Sequence, residues 1–81
     1  MYIEVITPDR KIFAGEAKLV KLPGTQGSFE ILKNHAPIIS TLEKGEISIR
    51  ATNNEITRIG ITGGLVESKD NRVIVLVEAI S

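Results

Sequence analysis

Cysteine and tryptophan are missing from this 81-residue chain, histidine occurs once, and the aromatic side chains are Tyr2, Phe13 and Phe29. Without cysteine there is neither a disulfide framework nor a thiolate metal site to brace a domain of this size, which buries only about 60% of its unfolded surface. Packing alone must hold it. With so few aromatics that packing is aliphatic, drawn from the Ile, Val and Leu that dominate a 42% hydrophobic composition. Net charge is missing too, because ten basic and ten acidic side chains cancel. They are scattered rather than grouped, so the chain lacks the field that would gather nucleic acid or insert it into an anionic membrane. No window approaches the roughly 20 apolar residues needed to cross a bilayer, and the opening Met1-Tyr2-Ile3-Glu4-Val5 is not the basic-then-apolar start of an export signal.

What is present is alternation with period two, which recurs along the chain, while the three-and-four spacing of a helix never persists. The reading is one all-β domain over residues 1–81. Strands are expected at Tyr2–Thr7, Lys11–Phe13, Glu16–Leu22, Ser28–Ile31, Pro37–Leu42, Glu46–Thr52, Glu55–Thr62 and Arg72–Glu78. Pro8-Asp9, Gly15 and Pro23-Gly24 close the first three. Asn53-Asn54 and Asp70-Asn71 are pairs that tolerate positive φ and suit tight hairpins. Eight to ten short strands leave a two-sheet sandwich or a small barrel, and the sandwich is preferred. Val73-Ile74-Val75-Leu76-Val77 is apolar on both faces, as in a strand covered on both sides by the core and a partner, or by the core and loops.

Little in this pattern supports catalysis. His35 is the only imidazole and Asp9 and Asp70 the only aspartates, so a nucleophile, base and orienting carboxylate have few sources. One histidine without a cluster of further ligands is not a zinc site. Within Lys33-Asn34-His35-Ala36-Pro37 the ring suits bonding to neighbouring backbone groups and shaping a loop. Gly24-Thr25-Gln26-Gly27 lacks the following Lys-Ser or Lys-Thr of a phosphate loop and reads as a tight turn. Gly63-Gly64 reads as a bulge or a close strand approach. The glutamates are spread over different elements and read as solvated outer-face residues. An oligonucleotide-binding barrel is disfavoured by three scattered aromatics and zero net charge. A lipoyl or biotinyl carrier domain remains the alternative from another class, with Lys69 beside the Asp70-Asn71 turn, although the flanking residues lack the carrier signatures.

Backbone shape is concentrated between Leu22 and Leu42, which holds His35, Pro23, Pro37, Gly24 and Gly27. Phe13-Ala14-Gly15, Leu22-Pro23-Gly24-Thr25-Gln26-Gly27, Ile31-Leu32-Lys33-Asn34-His35-Ala36-Pro37, Leu42-Glu43-Lys44-Gly45 and Gly63-Gly64, in that order and spacing, resemble the N-terminal domain of the epsilon subunit of F-type ATP synthase. The resemblance covers almost the whole chain. It implies a ten-stranded β-sandwich and a non-catalytic rotor subunit of the central stalk, without cofactor or metal, that docks the gamma subunit to the polar loops of the c-ring and couples ion translocation to ATP synthesis. The c-ring-facing positions it implies are Gln26, Gly27 and Ser28. The gamma-facing ones are Thr7, His35, Ala36, Pro37 and Ser40, with structural turns at Gly24, Gly45, Gly63 and Gly64. A place on the cytoplasmic face of a bacterial inner membrane follows from the resemblance, held by other subunits and without direct insertion. Glu30 stands where many members carry glycine, which puts the backbone after the c-ring turn in question. Longer members continue into a helical hairpin that in some relatives binds ATP and inhibits. For a chain ending at Glu78-Ala79-Ile80-Ser81, no ATP site and no hairpin-based inhibition are expected.

Overall fold

A computed structural model describes residues 1–81 and consists of strands, turns and connecting segments, with no helix. There are nine strands: β1 (Tyr2–Ile6), β2 (Lys11–Glu16), β3 (Leu19–Gly24), β4 (Gly27–Leu32), β5 (Ile38–Leu42), β6 (Gly45–Arg50), β7 (Ile56–Ile61), β8 (Gly64–Lys69) and β9 (Arg72–Val77). The all-β sandwich expected from the sequence is the fold observed, with nine strands where about ten were anticipated. β8 is not among the strands that alternation predicts. Leu65 and Val66 put apolar side chains on both faces and Ser68 stands on the buried one, so only the ladders to β5 and β9 define it. Gly15 does not end β2 but lies inside it opposite Ile3, and Glu16 belongs to β2 rather than β3.

The strands form one hydrogen-bonded sheet, ordered β2-β1-β9-β8-β5-β3-β6-β7 with β4 on the other side of β3. It curls into two layers. One contains β2, β1, β9, β8 and β5; the other contains β4, β3, β6 and β7. The corner lies on β3, which pairs with β6 through Leu19–Lys21 and with β5 through the single partnership of Gly24 and Leu42. Such corners let a strand serve two sheets. β1 and β9 run parallel, and every other pair is antiparallel.

Alternation directs the apolar side chains inward. Ile3, Val5, Val66, Val73, Val75 and Val77 from the first layer meet Val20, Leu22, Ile31, Ile47, Ile49 and Ile61 from the second, all within one buried cluster. Each fully buried aliphatic side chain contributes about 1.5–3 kcal/mol relative to exposure. That sum must offset a chain entropy of similar size, leaving a net stability on the order of 5–15 kcal/mol.

Turn chemistry follows local sequence. The only non-glycine residues with positive φ are Asn34, Asn54, Asp70 and Asn71, the residue types that tolerate the left-handed region best. Asp70 and Asn71 (φ 52° and 61°) form the two-residue hairpin between β8 and β9. Asn53-Asn54 does not form the tight pair expected from it. Ala51 to Glu55 make a longer loop, with Asn54 alone at positive φ and the Asn53 side chain accepting from the Glu55 amide at 3.0 Å. Glu30 lies in an unbroken β3–β4 ladder opposite Lys21, so the substitution noted at this position leaves the strand regular.

Candidate functional site

The single histidine makes no catalytic constellation. The His35 Nδ1–H donates to the Ala36 carbonyl at 2.6 Å, and the ring thereby shapes its own loop. No group of three or more His, Cys, Asp or Glu side chains converges on a point where a metal would sit. What the molecule offers is surface, and its two outer faces differ.

The five-stranded layer carries an apolar stripe on its solvent side. Leu65 on β8 faces Leu76 on β9, which faces Ile6 on β1, with Thr41 of β5 completing the row. Leu76 is 49% and Leu65 36% exposed, and Ile6 is half-buried. The adjacent row runs Ile39, Glu67, Ile74, Glu4 and Ala14, and Ile39 is 67% exposed. Shallow depressions border the stripe at Ile6, Pro8 and Leu76 on one side and at Gln26, Ile39 and Leu65 on the other. Alternation that buries Val66, Val75 and Val5 forces these neighbours outward. Their apolar character therefore serves nothing inside the domain.

The outer face of the four-stranded layer is charged. Glu30, Lys21, Ser48 and Arg58 form a row across β4, β3, β6 and β7, and Arg58 lies 3.6 Å from Glu46. Leu32 and Ile56 stand at the ends of the next row, separated by Leu19 and Arg50. On this face charge interrupts the apolar surface, while on the other a contiguous apolar row remains uncovered.

Charge limits the apolar stripe at one end. Glu4 is mostly covered, and its carboxylate lies 2.7 Å from the Lys11 ammonium and 4.0 Å from Arg72. The Arg72 guanidinium stacks over the Tyr2 ring at 5.1 Å from its centroid. The hydrogen bond to Glu4, and then its negative charge, raise the Lys11 amine above its ordinary value of 10.5.

The residues assigned from the sequence fall around this face. Thr7 directly follows β1 at one end of the five-stranded layer, its hydroxyl donating to the Arg10 carbonyl at 3.1 Å. His35, Ala36 and Pro37 are exposed at the opposite end, where the loop enters β5. Ser40 is half-buried and pairs with Val66, on the side of β5 that points into the sandwich; Ile39 and Thr41 point out. Gln26, Gly27 and Ser28 are exposed at the β3–β4 turn, beside Thr41 and away from the histidine loop. Gly24, Gly45 and Gly64 lie at strand ends, and Gly63 lies in the short link between β7 and β8. Gly24 is needed there because a Cβ would stand 2.6 Å from the Gly27 carbonyl oxygen and 2.7 Å from the Phe29 ring. Lys69 is the last residue of β8, paired with Arg72, and not the hairpin tip.

The stripe of Ile6, Leu65 and Leu76, with Ile39 in the adjacent row, was missed as a site by sequence reasoning. Its trace was the two-sided apolar run at Val73–Val77. The structure resolves that run into three buried valines, a half-buried Ile74 and an exposed Leu76.

Residues 1–81 match the family model described as the ATP synthase delta/epsilon chain β-sandwich domain. Similar curated proteins are the ATP synthase epsilon chains of Pelotomaculum thermopropionicum, 38% identical over 95% of this chain and 57% of that protein, and Campylobacter fetus, 37% identical over 96% and 60%. The epsilon chain of Chlorobaculum tepidum is 33% identical over 98% of this chain and 90% of its own length. The chain thus spans little more than half of the first two relatives and nearly all of the third. The fold is also that of a chain in the Euglena gracilis mitochondrial ATP synthase OSCP/F1/c-ring structure, with a TM-score of 0.90 at 16% identity over 98% of this chain and 51% of that one. A chain of the Tetrahymena thermophila mitochondrial ATP synthase central stalk/c-ring structure gives 0.85 at 21% identity, over 100% and 65%. No helix of this molecule is long and apolar enough to cross a membrane, which leaves strand-built membrane crossing unaddressed.

Proposed function

The chain belongs to the ATP synthase delta/epsilon chain β-sandwich family, and from that premise we propose that it is a non-catalytic rotor domain that docks the gamma subunit to the c-ring and keeps ion translocation coupled to ATP synthesis. The observation that carries this reading is the uncovered apolar row Leu65, Leu76 and Ile6 on one outer face, against a charged opposite face. Apolar area removed from water supplies about 25 cal/mol per Å², and a contiguous exposed row of this kind marks an interaction surface.

Gamma occupies that face, bordered by Thr7 at one end and by His35, Ala36 and Pro37 at the other. Ser40 lies under it on β5 and contributes through strand packing. The c-ring loops meet the β3–β4 turn at Gln26, Gly27 and Ser28, where exposed polar and backbone groups are free to bond. The two contacts adjoin, because the turn leans on β5. A domain that passes torque between neighbours must resist deformation, and two packed layers with short connections suit that task. Preformed loops also lower the ordering cost of docking. Residues 1–81 act as one unit, peripheral to the membrane on its cytoplasmic side and held there by other subunits.

Titration of the chain against isolated gamma tests the assignment. Leu76→Lys is expected to weaken binding strongly, His35→Ala moderately, and Lys69→Ala little. Equal affinities for all three would reject this face. Coupling is tested separately in membranes depleted of the chain, where ATP hydrolysis is expected to persist with fewer ions moved per ATP. Unchanged ion movement per ATP would reject the coupling role.

A further inference from the structure

Only one hydrogen bond ties the loop Lys33–Pro37 to another part of the fold. The Asn34 amide donates to the Asn71 side-chain carbonyl at 2.8 Å, across 37 positions of sequence. The loop's other bonds are local: the His35 amide to the Leu32 carbonyl at 3.1 Å, and the His35 ring to Ala36. Asn71 is well placed to hold it. It is half-buried, sits at positive φ in the two-residue turn between β8 and β9, and accepts the Tyr2 amide on its backbone carbonyl at 3.1 Å. One residue therefore joins the β8–β9 turn, the start of β1 and the histidine loop. Asn34 is itself at φ 62°, a left-handed conformation within the loop that follows β4.

We propose that Asn71 is a positioning residue for the docking surface: its side-chain carbonyl, through its bond to the Asn34 amide, sets the conformation in which His35, Ala36 and Pro37 meet the partner. This rests on the gamma-docking reading and adds to it the group that preorganises one end of the interface. An exposed loop of five residues held by a single long-range bond samples other conformations when that bond is lost, and binding then bears the cost of ordering it.

The test uses the full chain and the intact gamma subunit, with Asn71→Gly and Asn71→Asp. Glycine keeps the left-handed turn and removes the acceptor; aspartate keeps both the acceptor and a tolerance for positive φ. In the free chain, Asn71→Gly is expected to speed hydrogen exchange at the Asn34 amide about fivefold, as loss of one exposed hydrogen bond implies. Gamma binding is expected to weaken on the order of fivefold by the same relation, while exchange at core amides such as those of Val66 and Val75 stays slow. Asn71→Asp should restore both. Unchanged Asn34 exchange in Asn71→Gly would remove the latch. Faster exchange with undiminished gamma affinity would remove its positioning role while leaving the docking face in place. If the unaltered chain fails to bind gamma, the docking reading falls, and the positioning role with it.

Discussion

The hydroxyl oxygens of Thr25 and Thr41 lie 2.7 Å apart, joining the β3–β4 turn to the end of β5. The same two residues share a backbone bond, Thr25 amide to Thr41 carbonyl at 3.1 Å, and the Glu43 amide reaches the Pro23 carbonyl at 2.9 Å. The turn that carries Gln26, Gly27 and Ser28 is thus braced against the strand that carries Ile39. Short, directed contacts hold the turn and the strand together, and no flexible tether separates them.

Removing that brace should loosen the turn without unfolding the domain. Thr25→Val keeps the shape and deletes one hydroxyl; an exposed hydrogen bond of this kind contributes about 0.5–1.5 kcal/mol. Urea denaturation is expected to show a loss near the low end of that range. Amide exchange at Gln26 should rise. A turn as well protected as before would show that the backbone bonds suffice.

Gly64 faces a harder constraint. A Cβ there would collide with the Leu76 carbonyl oxygen of the neighbouring strand, and backbone does not swing aside as a long side chain does. Gly64→Ala must displace β8 from β9, at a cost of about 1–3 kcal/mol as for an overpacked core. Thermal and urea unfolding check it, and a wild-type melting curve would contradict the close approach.

The two sides of the sandwich predict opposite outcomes for similar changes. Ile47 is fully buried, and Ile47→Ala should cost about 2–5 kcal/mol of stability, a large share of the total. Leu76→Lys places charge on an exposed strand position and should change stability by less than about 0.5 kcal/mol while abolishing most of the gamma affinity. Paired denaturation and binding measurements separate core from interface in the same protein.

Lys11 supplies the pH prediction. Hydrogen bonding to Glu4 raises its folded value above 10.5, so the pair's contribution to stability is fully present below the unfolded lysine value. It is lost as pH rises through the folded one. Stability at neutral pH is untouched, and the decline falls on the alkaline side only. Because Lys11 is exposed, the effect is screened by salt and small. Direct NMR titration of the amine is therefore the suitable measurement. Glu4→Gln should return Lys11 to the ordinary range.

Much of the architecture was determined by local sequence, because period-two alternation admits no other regular structure and asparagine, aspartate and glycine mark where a chain can reverse. Asp70-Asn71 formed the hairpin its composition demands, and the aliphatic core follows from the absence of other material. Membership of the family was carried by glycine, proline and histidine spacing between Leu22 and Leu42 together with the flanking turns. Tertiary structure decided the rest. Which ladder holds Gly15 and Glu16, where β8 begins, and how Asn53-Asn54 is absorbed into a longer loop depend on partners distant in sequence. Register alone determined that Ser40 turns inward while Ile39 and Thr41 turn out, and that Leu65, Leu76 and Ile6 from three strands become one row. Composition cannot anticipate that alignment, since a slip of one residue reverses every side chain on a strand. The bond between Asn34 and Asn71 is of the same kind: each residue is legible as part of a loop or a turn, and only the pairing of β5 with β8 makes them neighbours.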